Sequence, residues 1–213
     1  MGLRESKKLN KRREIADEAM RLFVTRGFDH VTVAEVAAAA EVSEKTVFNY
    51  YPTKEDLFFD EVPKREAALV GAIRDRKEGE SVLGSLRRLQ SSECTRLCSA
   101  GFAHFARIIE DSPALRAKEL EVMARFSEVL AEAIQSELHV DERDARIAAG
   151  LVVSVHWQFF RAARTHALAG KHGPAAVRRL RADLNRAYSL LENGLGGLGG
   201  SAVLTRATAR GAG

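Results

Sequence analysis

Residues 32–54 read TVAEVAAAAEVSEKTVFNYYPTK. Thr32 suits a helix N-cap, and Glu35 three residues on completes a capping box, in which hydroxyl and carboxylate each satisfy a backbone N–H. Val33, Val36, Ala37 and Ala40 recur at helical spacing and line one face. Glu41-Val42-Ser43 interrupts that pattern. Ser43 is again an N-cap, so a second short helix is predicted to about Tyr50. Pro52 cannot extend it. Thr53 caps a further helix starting at Lys54, with Leu57, Phe58 and Val62 directed inward. Two short helices joined by a three-residue turn form a helix-turn-helix.

Working outward, residues 10–27 carry Ile15, Ala19, Leu22 and Phe23 on one face and end at Gly27, which predicts a helix. Toward the C-terminus, helices are predicted over residues 82–97 (capped by Ser81), 101–110, 113–138, 142–168 and 174–193. Asp111-Ser112-Pro113, Asp141 and Gly173-Pro174 mark the restarts. Residues 64–78 continue the helix from Lys54 or form its close successor. No run of alternating polarity demands a strand. The fold class is therefore all-α, with an N-terminal three-helix helix-turn-helix domain and a C-terminal helical bundle, about nine to ten helices together. The domain boundaries fall at 9–60 and 61–193. Residues 194–213 hold 7 of the 16 glycines and few large apolar groups, and are expected to be a disordered tail.

The second helix of the pair is expected to present its N-terminal residues to DNA bases in the major groove. Ser43 caps it, and Glu44, Lys45, Thr46 and Asn49 should line its exposed face, with Val47 and Phe48 turned to the core. Lys45 suits guanine N7/O6 or a phosphate, and Asn49 suits adenine. Thr46, Tyr50, Tyr51 and Lys54 are suitable phosphate donors. Thr32 sits at a helix N-terminus, where a hydroxyl and free N–H groups hold an anion. Charge is unevenly placed. Residues 1–28 hold eight basic groups (Arg4, Lys7, Lys8, Lys11, Arg12, Arg13, Arg21 and Arg26) against Glu5, Glu14, Asp17 and Glu18, a net +4. Residues 29–60 hold Lys45 and Lys54 against Asp29, Glu35, Glu41, Glu44, Glu55, Asp56 and Asp60, a net −5. The basic arm must supply much of any attraction to DNA.

A helical hairpin inside a plain bundle would carry the same caps. The wider pattern separates the two. Residues 12–57 read R-x-x-I-x-x-x-A-x-x-L-F, then G-F, then T-V-x-x-V-A-x-x-A-x-V-S-x-x-T-x-x-x-Y-Y-x-x-K-E-x-L. This resembles the N-terminal domain of the TetR family of transcriptional regulators. The resemblance implies an all-helical homodimer that binds a double-stranded, pseudo-palindromic operator. It also implies a C-terminal domain for effector binding and dimerisation, and a repressor released by a small apolar or amphipathic effector. Ligand would act through the fourth helix, about 54–75, and change the spacing of the two reading heads. The family often has glycine where this chain has Glu41. A left-handed backbone at a non-glycine residue costs about 1–2 kcal/mol.

Apolar bulk in the C-terminal part is concentrated at Phe102, Phe105, Met123, Phe126, His156, Trp157 and Phe160. These line a ligand pocket, with His104, His156 and Gln158 as orienting groups, or are ordinary core. SPALRAKELEVMARF, residues 112–126, is faintly similar to regulators that bind acyl-CoA-like ligands. The resemblance places the dimer interface on the last two long helices, where Leu151, Val155, Ala162, Leu180, Leu184, Tyr188 and Leu191 are candidates. Some of them face either the partner or their own core.

Other functions find little support. Gly194–Gly199 match G-x-G-x-x-G, but a helix precedes them where the dinucleotide fingerprint needs a strand. Met1-Gly2 with Ser6 matches a myristoylation pattern, but the pattern is short and a bacterial-type regulator would lack the modification. Cys94 and Cys98, four apart on a helix, are read as idle thiols rather than a redox or metal pair. The histidines do not cluster as ligands, and no catalytic triad, P-loop or HExxH occurs, so no enzyme, cofactor or metal is expected. No apolar run reaches the roughly 18–20 residues of a membrane span, and the polar start is no secretory signal. A cytoplasmic protein without membrane association is expected. The alternative function is a helical interaction protein, or an enzyme, without DNA binding.

Overall fold

Side-chain caps set the frame of the helices. The structure, a computed structural model, describes residues 3–194. Ten α-helices occur among them: α1 Leu3–Arg26, α2 Val33–Ala39, α3 Glu44–Tyr50, α4 Lys54–Phe58, α5 Val62–Arg74, α6 Val82–Leu97, α7 Ala100–Asp111, α8 Pro113–Leu138, α9 Glu142–Leu168 and α10 Gly173–Asn193. The N–H of Glu35 donates to Thr32 Oγ1 at 3.2 Å while the N–H of Thr32 donates to Glu35 Oε2 at 2.8 Å. Thr53 and Asp56 repeat that box at α4. Ser43, Ser81 and Asp141 cap α3, α6 and α9. Each such cap contributes about 1 kcal/mol. Residues 195–213, all of the expected tail but Gly194, lie outside the described residues. Gly194 ends α10 at φ +69°.

Two boundaries differ from expectation. Helix α1 starts at Leu3 rather than near residue 10, because Lys, Arg, Glu and Leu are good helix formers even without an apolar face. The helix from Lys54 does not run on to about residue 75: it ends at Phe58, and the close successor that was the other expectation, α5, begins at Val62. Pro63 explains the break. It has no N–H to donate, and its ring would strike the carbonyl of Phe59 in a continuing helix. The chain instead tightens, with the N–H of Val62 donating to the Phe59 carbonyl at 2.9 Å.

The turn between α2 and α3 has a defined chemistry. The N–H of Val42 donates to the Ala37 carbonyl at 2.9 Å and that of Glu41 to Ala38 at 3.2 Å. This is a Schellman ending, which needs a left-handed residue at Glu41. Glu41 has φ +53°. The turn therefore carries the left-handed cost without glycine, and Val42 repays part of it by packing against the core.

The chain divides into two compact units, one built from Met1–Ala67 and Ala100–Arg125, the other from Ala68–Ser99 and Phe126–Gly213. In the first, Ile15, Phe23, Phe28, Val36, Val47, Tyr51, Leu57 and Phe58 form one buried cluster. Ile108, Ile109 and Leu115 of α7 and α8 join it. Residues 100–125 thus pack with the helix-turn-helix, although the sequence groups them with the C-terminal part. Each fully buried Phe, Leu or Ile contributes about 1.5–3 kcal/mol. In the second unit α6, α9 and α10 pack against one another. The N–H of Gly173 donates to the Cys98 carbonyl at 3.2 Å, and Arg87 meets Glu192 at 3.7 Å. The start of α10 therefore lies at the end of α6 and the reverse, so the two helices run antiparallel.

Candidate nucleic-acid interface

Helix α3 is held from behind. Val47 and Tyr51, four residues apart, are buried in the core cluster. The Tyr51 hydroxyl donates to Asp60 Oδ1 at 2.7 Å and lies 2.9 Å from the Arg12 carbonyl. The Arg12 guanidinium donates to the same carboxylate at 3.0 Å and sits 5.1 Å from the centre of the Tyr51 ring. Burial, and the hydrogen bond to the Asp60 carboxylate, push the Tyr51 phenol far above its ordinary value, so it stays a donor. This hub ties α1, the end of α3 and the α4–α5 break together.

What remains exposed on α3 is one face: Glu44, Lys45, Phe48 and Asn49. Glu44 with Phe48 and Lys45 with Asn49 are one helical turn apart, so the four form a contiguous patch. Phe48 corrects the sequence reading. It was expected in the core and is 48% exposed. The available signal was the spacing of Val47 and Tyr51, which already fills the inner face and leaves position 48 outside. An exposed aromatic on a reading helix is suited to a thymine methyl.

The remaining predicted site residues fall into groups. Thr32 and Ser43 are exposed at the N-termini of α2 and α3, and their hydroxyls are engaged in caps. Thr46 and Tyr50 are half-buried beside the α3 face. Tyr51 is buried in the hub, and Lys54 is turned inward. The Lys54 ammonium donates to the carbonyls of Phe28 at 3.0 Å and Val31 at 2.9 Å, and lies 4.1 Å from the Phe28 ring centre. Both were expected to donate to phosphate, and here both are satisfied internally. Lys54 clamps the α1–α2 connection to the start of α4. Glu35 accepts from the Thr32 N–H and then pairs with Arg26 at 2.8 Å, which holds its carboxylate down to about 2. The neighbouring polar contacts are Ser112, which donates to Asp29 at 2.8 Å, and Lys118, 3.1 Å from Asp56.

The predicted pocket residues do not form one group. Phe105 stacks on Phe58 at 4.6 Å and on Phe102 at 5.8 Å, so both belong to the first unit's rings, and Met123 lies on the part of α8 within that unit. In the second unit His156 lies between Phe126 (5.5 Å) and Phe160 (4.8 Å), with Trp157 half-buried on the same helix. The buried polar atoms of that unit without a hydrogen-bond partner include both amide atoms of Gln90 and the hydroxyl of Tyr188. Gln90 lies between Arg87 and Cys94, which face Glu192 and Arg181 of α10, so it is level with Tyr188 on the antiparallel neighbour. The sequence-predicted interface residues also separate. Leu180, Leu184 and Tyr188 are 0–1% exposed and Val155 is buried. The apolar stripe of α10 faces its own core, so these four are not surface contacts. Leu151 is exposed, Ala162 and Leu191 partly so, and Ile147 joins Leu151 on the outer face of α9.

Among the described residues no group of His, Cys, Asp and Glu is placed to hold a metal ion, and no helix is long and apolar enough to cross a membrane. Cys94 and Cys98 are buried, and burial raises both thiols above their ordinary value.

A helix-turn-helix with a rigidly backed, exposed second helix defines the class: a DNA-binding regulator. Residues 15–60 match the model of bacterial regulatory proteins of the tetR family. The HTH-type transcriptional regulator TcmR of Streptomyces glaucescens is 30% identical over 173 residues, covering 73% of this chain and 76% of that protein. The chain belongs to the TetR family of transcriptional regulators. Among solved structures it is similar to the TetR-family repressor FadR of Thermus thermophilus, determined with lauroyl-CoA (24% identity, 86% of this chain and 94% of that one, TM-score 0.52). It is also similar to NalD, the secondary repressor of the MexAB-OprM multidrug efflux pump in Pseudomonas aeruginosa (18% identity, 84% and 96%, TM-score 0.55). At these identities the structural likeness bears on the fold alone.

Proposed function

We propose that the protein is a homodimeric repressor that binds a pseudo-palindromic operator through α3 and leaves it when a small apolar or amphipathic effector binds. The observation that carries the reading is the contiguous exposed face Glu44, Lys45, Phe48 and Asn49, backed by the Arg12–Tyr51–Asp60 hub. Lys45 reads guanine or meets a phosphate, Asn49 reads adenine, and Phe48 packs on a thymine methyl. Thr32, Ser43, Thr46 and Tyr50 flank this face and position the helix on the phosphates. Tyr51 and Lys54 act from behind as supports. The apolar Ile147 and Leu151 on α9 favour pairing of two copies there, with Ala162 and Leu191 at the rim.

The test is selection of bound duplexes from a random library at near-physiological salt. The expected product is an inverted repeat whose half-sites are spaced about 34–36 Å or a multiple. No enrichment by a folded, dimeric preparation overturns the reading in favour of an interaction protein without DNA binding.

The effector binds in the second unit, where the rings of Phe126, His156 and Phe160 are adjacent. Gln90 and Tyr188 are its polar anchors, because a buried polar group without a partner costs about 1–3 kcal/mol unless something fills the role. The thioester ligand held by the similar Thermus protein makes lauroyl-CoA the first probe. Tyr188→Phe is expected to leave the melting temperature of the ligand-free protein unchanged or raise it, and to reduce the stabilisation that lauroyl-CoA confers. A lower ligand-free melting temperature in calorimetry rejects the anchor role, since it would show that the hydroxyl is already satisfied.

A further inference from the structure

The α3 face does not explain how this protein is drawn to a polyanion. Residues 29–60 carry a net −5, with Glu44 on the face itself and Glu41 in the turn before it. The countercharge lies on α1, and the structure shows where it is carried. At Lys11 and Arg12, α1 is level with the far edge of the reading head. Arg12 covers Tyr51 at the end of α3. Lys11 pairs with Glu14, which holds its ammonium charged above the ordinary range, and Glu41 and Tyr50 add to that effect. The helix does not stop there. It continues from Lys11 back to Leu3, roughly 12 Å at 1.5 Å per residue.

Local propensity is enough to make those two extra turns helical, and they contribute nothing to the core. Lys7, Lys8, Leu9 and Asn10 are all exposed, and none belongs to the core cluster. A short helical stretch that is exposed all round adds little stability to a protein. Lys7 and Lys8 have no acidic partner among the described residues, in contrast to the paired Arg12, Arg21 and Arg26. The result is a cationic spur that leaves the head beside the α2–α3 turn and the end of α3.

We infer that this spur, carrying Lys7, Lys8 and Lys11, is a second DNA-contacting element that grips the sugar-phosphate backbone beyond the half-site read by α3. The inference rests on the proposed DNA-binding function. Its chemistry is charge neutralisation, with no base specificity: lysine is a flexible point charge, and each neutralised phosphate releases condensed counterions. The spur therefore extends the footprint without altering the sequence preferred.

The experiment compares the full chain with the Lys7→Ala/Lys8→Ala/Lys11→Ala variant on two duplexes. Both carry the selected inverted repeat. One ends at the half-sites and the other is extended on both sides. Affinity is measured across a salt series. On the extended duplex the variant, which lacks six lysines per dimer, is expected to lose up to about 5 from the log–log salt slope, ~0.9 for each lost phosphate contact. On the duplex ending at the half-sites, variant and wild type are expected to coincide, which also shows that the variant is folded. Equal slopes on the extended duplex overturn the inference. So does an equal loss on both duplexes, which would place the lysines within the half-site. A wild type that binds neither duplex removes the regulator reading itself.

Discussion

Lys45→Ala combined with Asn49→Ala is expected to cut discrimination between the operator and a scrambled duplex by about a thousandfold while leaving the protein folded. Each good base contact is worth about 1–3 kcal/mol of discrimination. Two contacts in each of two subunits come to at least about 4 kcal/mol, close to a thousandfold in Kd. Both side chains are exposed and outside the core, so the change in folding stability should stay within roughly 0.5 kcal/mol. The measurement is fluorescence anisotropy with the selected operator and with a scrambled duplex of equal length. Retained discrimination would mean that another element reads the sequence. Phe48→Ala in the same assay is expected to act at a thymine position only.

Tyr51→Ala is expected to produce the largest loss of stability of any change at this site. The side chain is among the largest that are fully buried, and its removal leaves a cavity beneath α3, which typically costs about 3–5 kcal/mol. It also strips the Asp60 carboxylate of one donor and Arg12 of the ring beneath it. Tyr51→Phe keeps the volume and removes only the hydroxyl. Asp60 retains its pair with Arg12 at 2.9 Å, so the expected cost is smaller, about 1–2 kcal/mol. Urea unfolding of the two variants separates packing from hydrogen bonding. If both lost the same stability, the hub would act only through its polar contacts.

Much of this organisation is legible in residue order because its causes are local. A cap needs only a hydroxyl and a carboxylate three residues apart, so Thr32–Glu35, Ser43, Thr53 and Asp141 mark helix starts correctly. The left-handed residue at Glu41 was suggested only by the glycine that the TetR family often has there, and the structure gives it φ +53°. The break before α5 was also legible, since Pro63 stands in the interior of the predicted helix, and the apolar spacing across it concealed the stop.

Other features have no local signature. Lys54 is a charged residue near a helix start, the usual description of a phosphate contact. Only the approach of the Phe28 and Val31 carbonyls makes it a clamp. Periodicity shows that Leu180, Leu184 and Tyr188 share one face, and it is silent on whether a partner or α6 and α9 cover that face. Likewise, Phe105 looks like pocket material until Phe58 stacks on it at 4.6 Å.

The order of residues alone was enough for the helix-turn-helix and for most helices and their capped ends, because caps and turns act within a few residues of themselves. Which face of each helix is spent on the protein's own core, and which is left for DNA, a ligand or a second copy, was decided only when distant segments packed. That choice depends on buried area and on polar groups finding partners tens of residues away, as Tyr51 finds Arg12 and Lys54 finds Val31.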